Sequence, residues 1–165
     1  MISIKKVQKF SLYLYRKHHI NSNLKIQKIL FFLRVYEKRN GIKDSPIFDQ
    51  NNHNFEAWTY GPVCVDSYDF MSDILDQENR EIQPNFLFKD DEQFEKYATI
   101  INNLDDEEPY QLVFLSHHNL EYINVRKKNN IKDWQPCRFQ LDETSDDFKN
   151  FLDVNAQIER IFSTQ

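Results

Sequence analysis

Asn54-Phe55-Glu56-Ala57-Trp58-Thr59-Tyr60-Gly61-Pro62-Val63 is the stretch that decides how this chain is read. On an extended backbone successive side chains alternate, so residues 54–60 would put Glu56, Trp58 and Tyr60 on one face and Phe55 and Ala57 on the other. Gly61-Pro62 then predicts a helix start, because glycine is tolerated at a cap and proline is favoured at the first helical position. That helix is expected to run to about Asp76. Tyr68, Met71 and Leu75 would form its apolar stripe, and Asp66, Asp69, Asp73 and Asp76 an acidic one.

Outward from this ribbon the periodicity is helical. Residues 3–18 place Val7, Phe10, Leu14 and His18 on one stripe, with Ser3 as a cap. Residues 24–39 carry Ile26, Ile29, Leu30, Leu33 and Val35 or Tyr36 inward and stop at Asn40-Gly41. Beyond the ribbon, Asp90-Asp91-Glu92 and Asp106-Glu107-Glu108-Pro109 are acidic helix starts that suit the macrodipole. Asn119 caps a further helix to about Lys128. Ser145-Asp146-Asp147 opens the last one, over about 145–163, with Phe148, Phe151, Leu152 and Ile158 on its buried edge. Residues 83–88 and 137–141 read as short strands. The expectation is an all-α or α-dominated single domain over residues 1–165, with six or seven helices and a short strand pair near 54–60.

Composition narrows the chemistry. A chain of 165 residues hides roughly 70% of its extended surface on folding, enough for a core without disulfides or a structural metal. Fourteen Phe and eight Tyr predict a ring-packed interior, and only two glycines occur. No G-x-G-x-x-G or G-x-x-x-x-G-K is present, so Rossmann and P-loop readings fail. Cys64 and Cys137 are expected to be reduced thiols, since no export signal or run of about 18 apolar residues is seen. Cytoplasmic residence is the expectation. The net charge of −5 hides a split: residues 1–43 hold eleven Lys or Arg against the one acid Glu37, or +10, which leaves −15 for the other 122. Such asymmetry predicts either a polyanion-binding face or pairing of a basic half with an acidic half.

Three stretches carry a family resemblance: Leu24-Lys25-Ile26-Gln27-Lys28-Ile29-Leu30, then Phe48 followed by Glu56-Ala57-Trp58-Thr59-Tyr60-Gly61-Pro62-Val63, then Leu112 to His117. In this order they resemble the Panacea (SocA-like) domain, also met among phage-associated proteins, over roughly residues 5–130. Two positions depart from that pattern. Leu120-Glu121-Tyr122 stands where Pro-Trp is usual, and Phe31-Phe32 where tyrosines are. The resemblance implies an antitoxin of a toxin–antitoxin system, which binds and neutralises a toxin encoded by a neighbouring gene. Neutralisation would act by occlusion or by delivery to a protease.

Read on their own, Trp58 and Tyr60 are the residue types that anchor interfaces. The partner-binding residues expected are Trp58, Tyr60, Gly61 and Pro62, with Lys25, Lys28 and His117. A rival reading is a DNA-binding regulator gripping phosphates through Lys25, Lys28, Arg34 and Lys38, although a net acidic domain makes nucleic acid a poor partner. A phage-associated accessory protein with another protein target is a further alternative. Cys64, placed in the first turn of the helix after Gly61, is the one thiol with an electrostatic case for reactivity, with His117 as its base in a hydrolase reading. His18, His19, His53, His117 and His118 lack metal-ligand spacing. No catalytic, cofactor or metal site is therefore expected, and the chain is read as a non-enzyme.

Overall fold

The computed structural model describes residues 4–73 and 87–164. Their elements in chain order are α1 (Lys6–Lys17), α2 (Asn23–Arg39), β1 (Phe55–Trp58), β2 (Gly61–Cys64), α3 (Val65–Asp73), α4 (Asp91–Asp105), α5 (Pro109–Ser116), α6 (Leu120–Lys128), a 3₁₀ turn at Asp146–Lys149, and α7 (Asn155–Ile161). This is a helical domain with a short antiparallel strand pair, as the periodicity predicts. Ser3, the expected cap of the first helix, lies outside the described residues, as do Leu75, Asp76 and most of the strand expected at 83–88. At the first helix Gln8 caps instead, its side chain accepting from the Lys5 N–H at 2.8 Å.

Helix α2 is the axis of the fold. Ser22 caps it by accepting from the Lys25 N–H at 3.2 Å, and every residue from Ile26 to Tyr36 is buried, as is Glu37. The expected inner stripe therefore undercounts: the helix is covered on all sides, by α1, β2, α3, α4, α5 and the 3₁₀ turn. Its rings lock onto those layers. Phe31 packs edge-on against Phe55, Phe148 and Phe151 at centroid separations of 5.6–6.5 Å, and Phe32 stacks on Phe151. Such edge-to-face pairs add to the burial energy of each ring.

Covering α2 completely forces its polar side chains to find partners inside. Arg34 sits between two buried carboxylates, donating to Glu37 at 3.1 Å and to Glu143 at 2.6 Å. Glu37 also accepts from the Tyr97 hydroxyl at 2.6 Å and Ser45 Oγ at 2.7 Å. Burial raises the Glu37 carboxyl above its usual range, with those donors and Arg34 pulling the other way. One cation between two carboxylates is held by geometry more than by net attraction, because desolvation offsets much of the Coulomb gain. The predicted pairing of the basic half with the acidic half is visible here and at Lys5–Asp66, Lys25–Asp105 and Arg39–Glu159. The exposed pairs among these contribute at most about 1 kcal/mol each.

The ribbon differs from its expectation. Gly61-Pro62 does not open a helix. The chain reverses at Thr59-Tyr60, and β2 pairs with β1 in the register Phe55↔Cys64, Ala57↔Pro62 and Trp58↔Gly61. Helix α3 begins only at Val65, and its buried residue is Ser67, while Tyr68 and Met71 are half-buried. Proline is tolerated in β2 because the N–H it lacks would face outward from the pair. A third extended piece flanks β1, with the Ala57 N–H donating to Phe139 and the Leu141 N–H to Phe55. The strand expected at 137–141 is thus present as an irregular edge. The expected last helix also splits. Leu120 N–H donates to the Asn150 carbonyl and Leu152 N–H to His118, which pulls residues 150–152 straight onto the α5–α6 corner. Leu152 is consequently turned outward and 49% exposed instead of buried.

Gly61 has φ +107°, and a Cβ there would lie 2.4 Å from Ser116 Oγ and 3.0 Å from Lys28 Cε. Gly61→Ala is expected to cost about 2–4 kcal/mol from strain plus overlap. Gly41→Ala, at φ +61° with nothing within 4 Å, costs about 1 kcal/mol. Urea unfolding of the two variants checks the contrast.

Candidate protein-docking site

Four side chains, from α2, α6 and the end of α5, hold carbonyls of the β1–β2 hairpin, three of them consecutive. Arg126 donates to Ala57 at 2.9 Å, the Tyr122 hydroxyl to Trp58, and Lys28 to Pro62 at 2.9 Å. His117 places Nε2 2.9 Å from the Thr59 carbonyl and Nδ1 2.7 Å from that of Val113. A neutral imidazole donates to one of these oxygens and an imidazolium to both. Outside β2 the ladder is completed by α2, since Gln27 Oε1 accepts from the Cys64 N–H at 3.1 Å. Gln27 Nε2 in turn donates to Asn23 and Ser67. The hairpin is therefore bonded on both edges and at its turn.

This fixing presents rings. Trp58 is half-buried, its Nε1 donating to Glu56 at 2.8 Å, with the Arg138 guanidinium 5.5 Å above the ring and Tyr68 edge-on at 5.0 Å. Beside it opens a cleft of about 610 Å³ whose walls include Leu24, Trp58, Tyr60, Val63, Tyr68 and Pro136. Tyr60 stands at its rim and is 68% exposed. The far wall, residues 136–138, continues a loop moored by Arg126 to the Gln135 carbonyl at 2.8 Å and by Thr59 Oγ1 to the same oxygen. The loop exposes Trp134 at its other end. An apolar wall with exposed aromatic edges and few charges has the composition of the centre of a protein interface.

The sequence-predicted site residues divide sharply. Trp58 and Tyr60 reach the cleft. Gly61 and Pro62 are buried within β2 itself, Lys28 is buried beneath the hairpin, and His117 holds its turn. Lys25 is largely covered and paired with Asp105 at 2.8 Å. Of the cations in the DNA-binding reading, Lys28 and Arg34 lie in the interior and Lys38 bonds Asn52 at 2.6 Å. Sequence reasoning missed Tyr122 and Arg126, whose spacing of four puts them on one face of α6. It also missed Arg138 and the wall at Pro136, for which no local signal exists.

Cys64 is not in a helix. It ends β2 and is buried, and burial pushes its thiol up to about 12, outweighing the Ser67 and Asp66 amides that favour thiolate. Both His117 nitrogens face carbonyls, so the dyad of the hydrolase reading is not formed. Among the described residues no three His, Cys, Asp or Glu side chains cluster to hold a metal ion, and no helix is long and apolar enough to cross a membrane. Comparison with protein-family models, with curated proteins and with solved structures yields no match.

Lys28 has a measurable signature. Burial pulls its ammonium down to about 7, whereas the unfolded chain keeps the proton to about 10.4. The unfolded state therefore binds more protons above pH 7, and stability rises with pH there. Urea unfolding should show a gain of about 1 kcal/mol between pH 7 and 8, before deprotonation of Cys64 in the unfolded chain opposes it. Lys28→Met is expected to abolish that rise. A slope unchanged in the variant would assign it elsewhere. Iodoacetamide at pH 8 is expected to modify Cys64 in the folded protein more slowly than a free thiol.

Proposed function

We propose that this chain is an antitoxin-like protein that binds and neutralises a partner toxin by direct protein–protein contact, without catalysis of its own. The observation that carries this reading is the rigid display of Trp58 and Tyr60 at the cleft. Hydrogen bonds to four hairpin carbonyls hold the ribbon in place before any partner arrives. Rings held in their bound position lose little freedom on association, and that is where affinity is gained. The resemblance of Leu24–Leu30, of Phe48 with Glu56–Val63, and of Leu112–His117 to the Panacea pattern supports the toxin as partner class. These three stretches also meet one another in space, because Lys28 and Ser116 close around Gly61.

The DNA-binding reading draws no support from the basic helix, because two of its four cations are interior. The phage-associated accessory reading keeps the same contact chemistry with another protein target.

Co-expression with the product of the neighbouring gene tests the proposal. The expected results are rescued growth and copurification. Trp58→Ala and Tyr60→Ser are each expected to weaken binding by about 1–3 kcal/mol, or roughly 5- to 150-fold, while leaving the far-ultraviolet spectrum unchanged. Absence of both rescue and copurification overturns the reading. Toxin levels separate the two modes: they stay constant under occlusion and fall under delivery to a protease.

A further inference from the structure

The segment Pro109-Tyr110-Gln111-Leu112-Val113-Phe114-Leu115-Ser116 contains no charged residue, yet one side of α5 faces solvent. A helix apolar on all sides is normally covered on all sides. Leu112, Leu115 and Ser116 meet the core, while Tyr110 is 72% and Phe114 50% exposed. The stripe continues past the helix end. The Phe114 and His118 rings lie 4.5 Å apart, and the His118 carbonyl accepts from the Leu152 N–H at 2.8 Å. Leu152 extends the same surface with its exposed side chain. Tyr110, Phe114, His118 and Leu152 thus form one apolar strip, adjoining the hairpin turn through the His117–Thr59 contact.

Charge at the ends of the strip is of one sign. Asp106, Glu107 and Glu108 precede Tyr110, and Asp153 follows Leu152. The nearby cations are accounted for or distant. Lys25 pairs with Asp105, Lys149 lies 3.5 Å from Asp146, and Lys127 and Lys128 sit at the far end of α6. An apolar strip closed at both ends by carboxylates complements an apolar segment bearing cations. We propose that the α5 strip is a second docking surface, and that it takes a cationic amphipathic helix of the protein partner. This rests on the reading of the chain as a protein-binding module, and it adds a surface and a partner chemistry to that reading.

The probe is a fluorescein-labelled helical peptide of about 18 residues with leucines at helical spacing and lysines elsewhere. Its counterpart carries glutamates in place of the lysines. Anisotropy titration against the full chain is expected to show saturable binding of the cationic peptide and at least about tenfold weaker binding of the anionic one. Tyr110→Ser/Phe114→Ser leaves the net charge unchanged and is expected to weaken the cationic peptide at least about tenfold, while Trp58→Ala leaves it unaltered. Equal binding by the serine double variant, or by the anionic peptide, overturns the proposal. So does a Phe114-dependent dimer in sedimentation, which would make a second copy of this chain the occupant. In the co-expression assay, a toxin lost by Trp58→Ala but held at full affinity by the serine double variant refutes the α5 surface alone. No capture of the toxin by the unmodified chain refutes the antitoxin reading, whatever the peptide does.

Discussion

A lysine with no access to water, donating to the carbonyl of a proline, is the contact on which the hairpin depends. Lys28 reaches Pro62 only because Gly61 has no side chain to stop it, and Ser116 approaches from the other side. Neither the ammonium nor the carbonyl has a substitute partner in an apolar interior, where an unmet polar group costs more than a hydrogen bond returns in water. Gln27 repeats the arrangement one residue earlier at Cys64. Two consecutive residues of α2 therefore act as the missing neighbour strand of β2. A two-stranded hairpin alone is marginal in water; here a helix supplies its outer edge.

Most of the architecture was legible in the order of residues because it rests on local periodicity. The helices at 91–105, 109–116 and 120–128 follow from acidic starts, Pro109 and the Asn119 cap, each of which acts within one turn. What could not be read depends on contacts far apart in the chain. Gly61-Pro62 carries a good local helix-start signal, and it lost to a register set by Phe55 and Ala57 packing into the core. The split of the last helix arises likewise from Asn150 and Leu152 bonding to residues some 30 positions earlier. Leu152 has the apolar character of a core residue, and only the tertiary clip turns it out.

The site was legible in part for the same reason. Alternation along 55–60 put Trp58 and Tyr60 on one face without saying which way it points; Trp58 is half-buried in the cleft wall, and Tyr60, in the turn, is exposed. Lys28 and His117 belong to the same stretch of structure but work from beneath it. A charged residue on a helix reads as solvated unless the helix is known to be covered on all sides, and that coverage comes from elements elsewhere in the chain. The surface rings are available for contact, and the buried polar residues keep them still.

The pairing of early cations with late carboxylates also bears on how the molecule is made. Arg34 finds Glu143 across 109 positions, and Arg39 finds Glu159 across 120. During synthesis the central helix leaves the ribosome long before these two counter-charges exist, although Asp66 and Asp105 are made earlier for Lys5 and Lys25. A nascent chain stopped short of Glu143 would have to bury the Arg34 guanidinium with one of its two carboxylates missing. Arg34 therefore gains its second carboxylate only after translation has passed Glu143, which sets that contact among the last the interior makes.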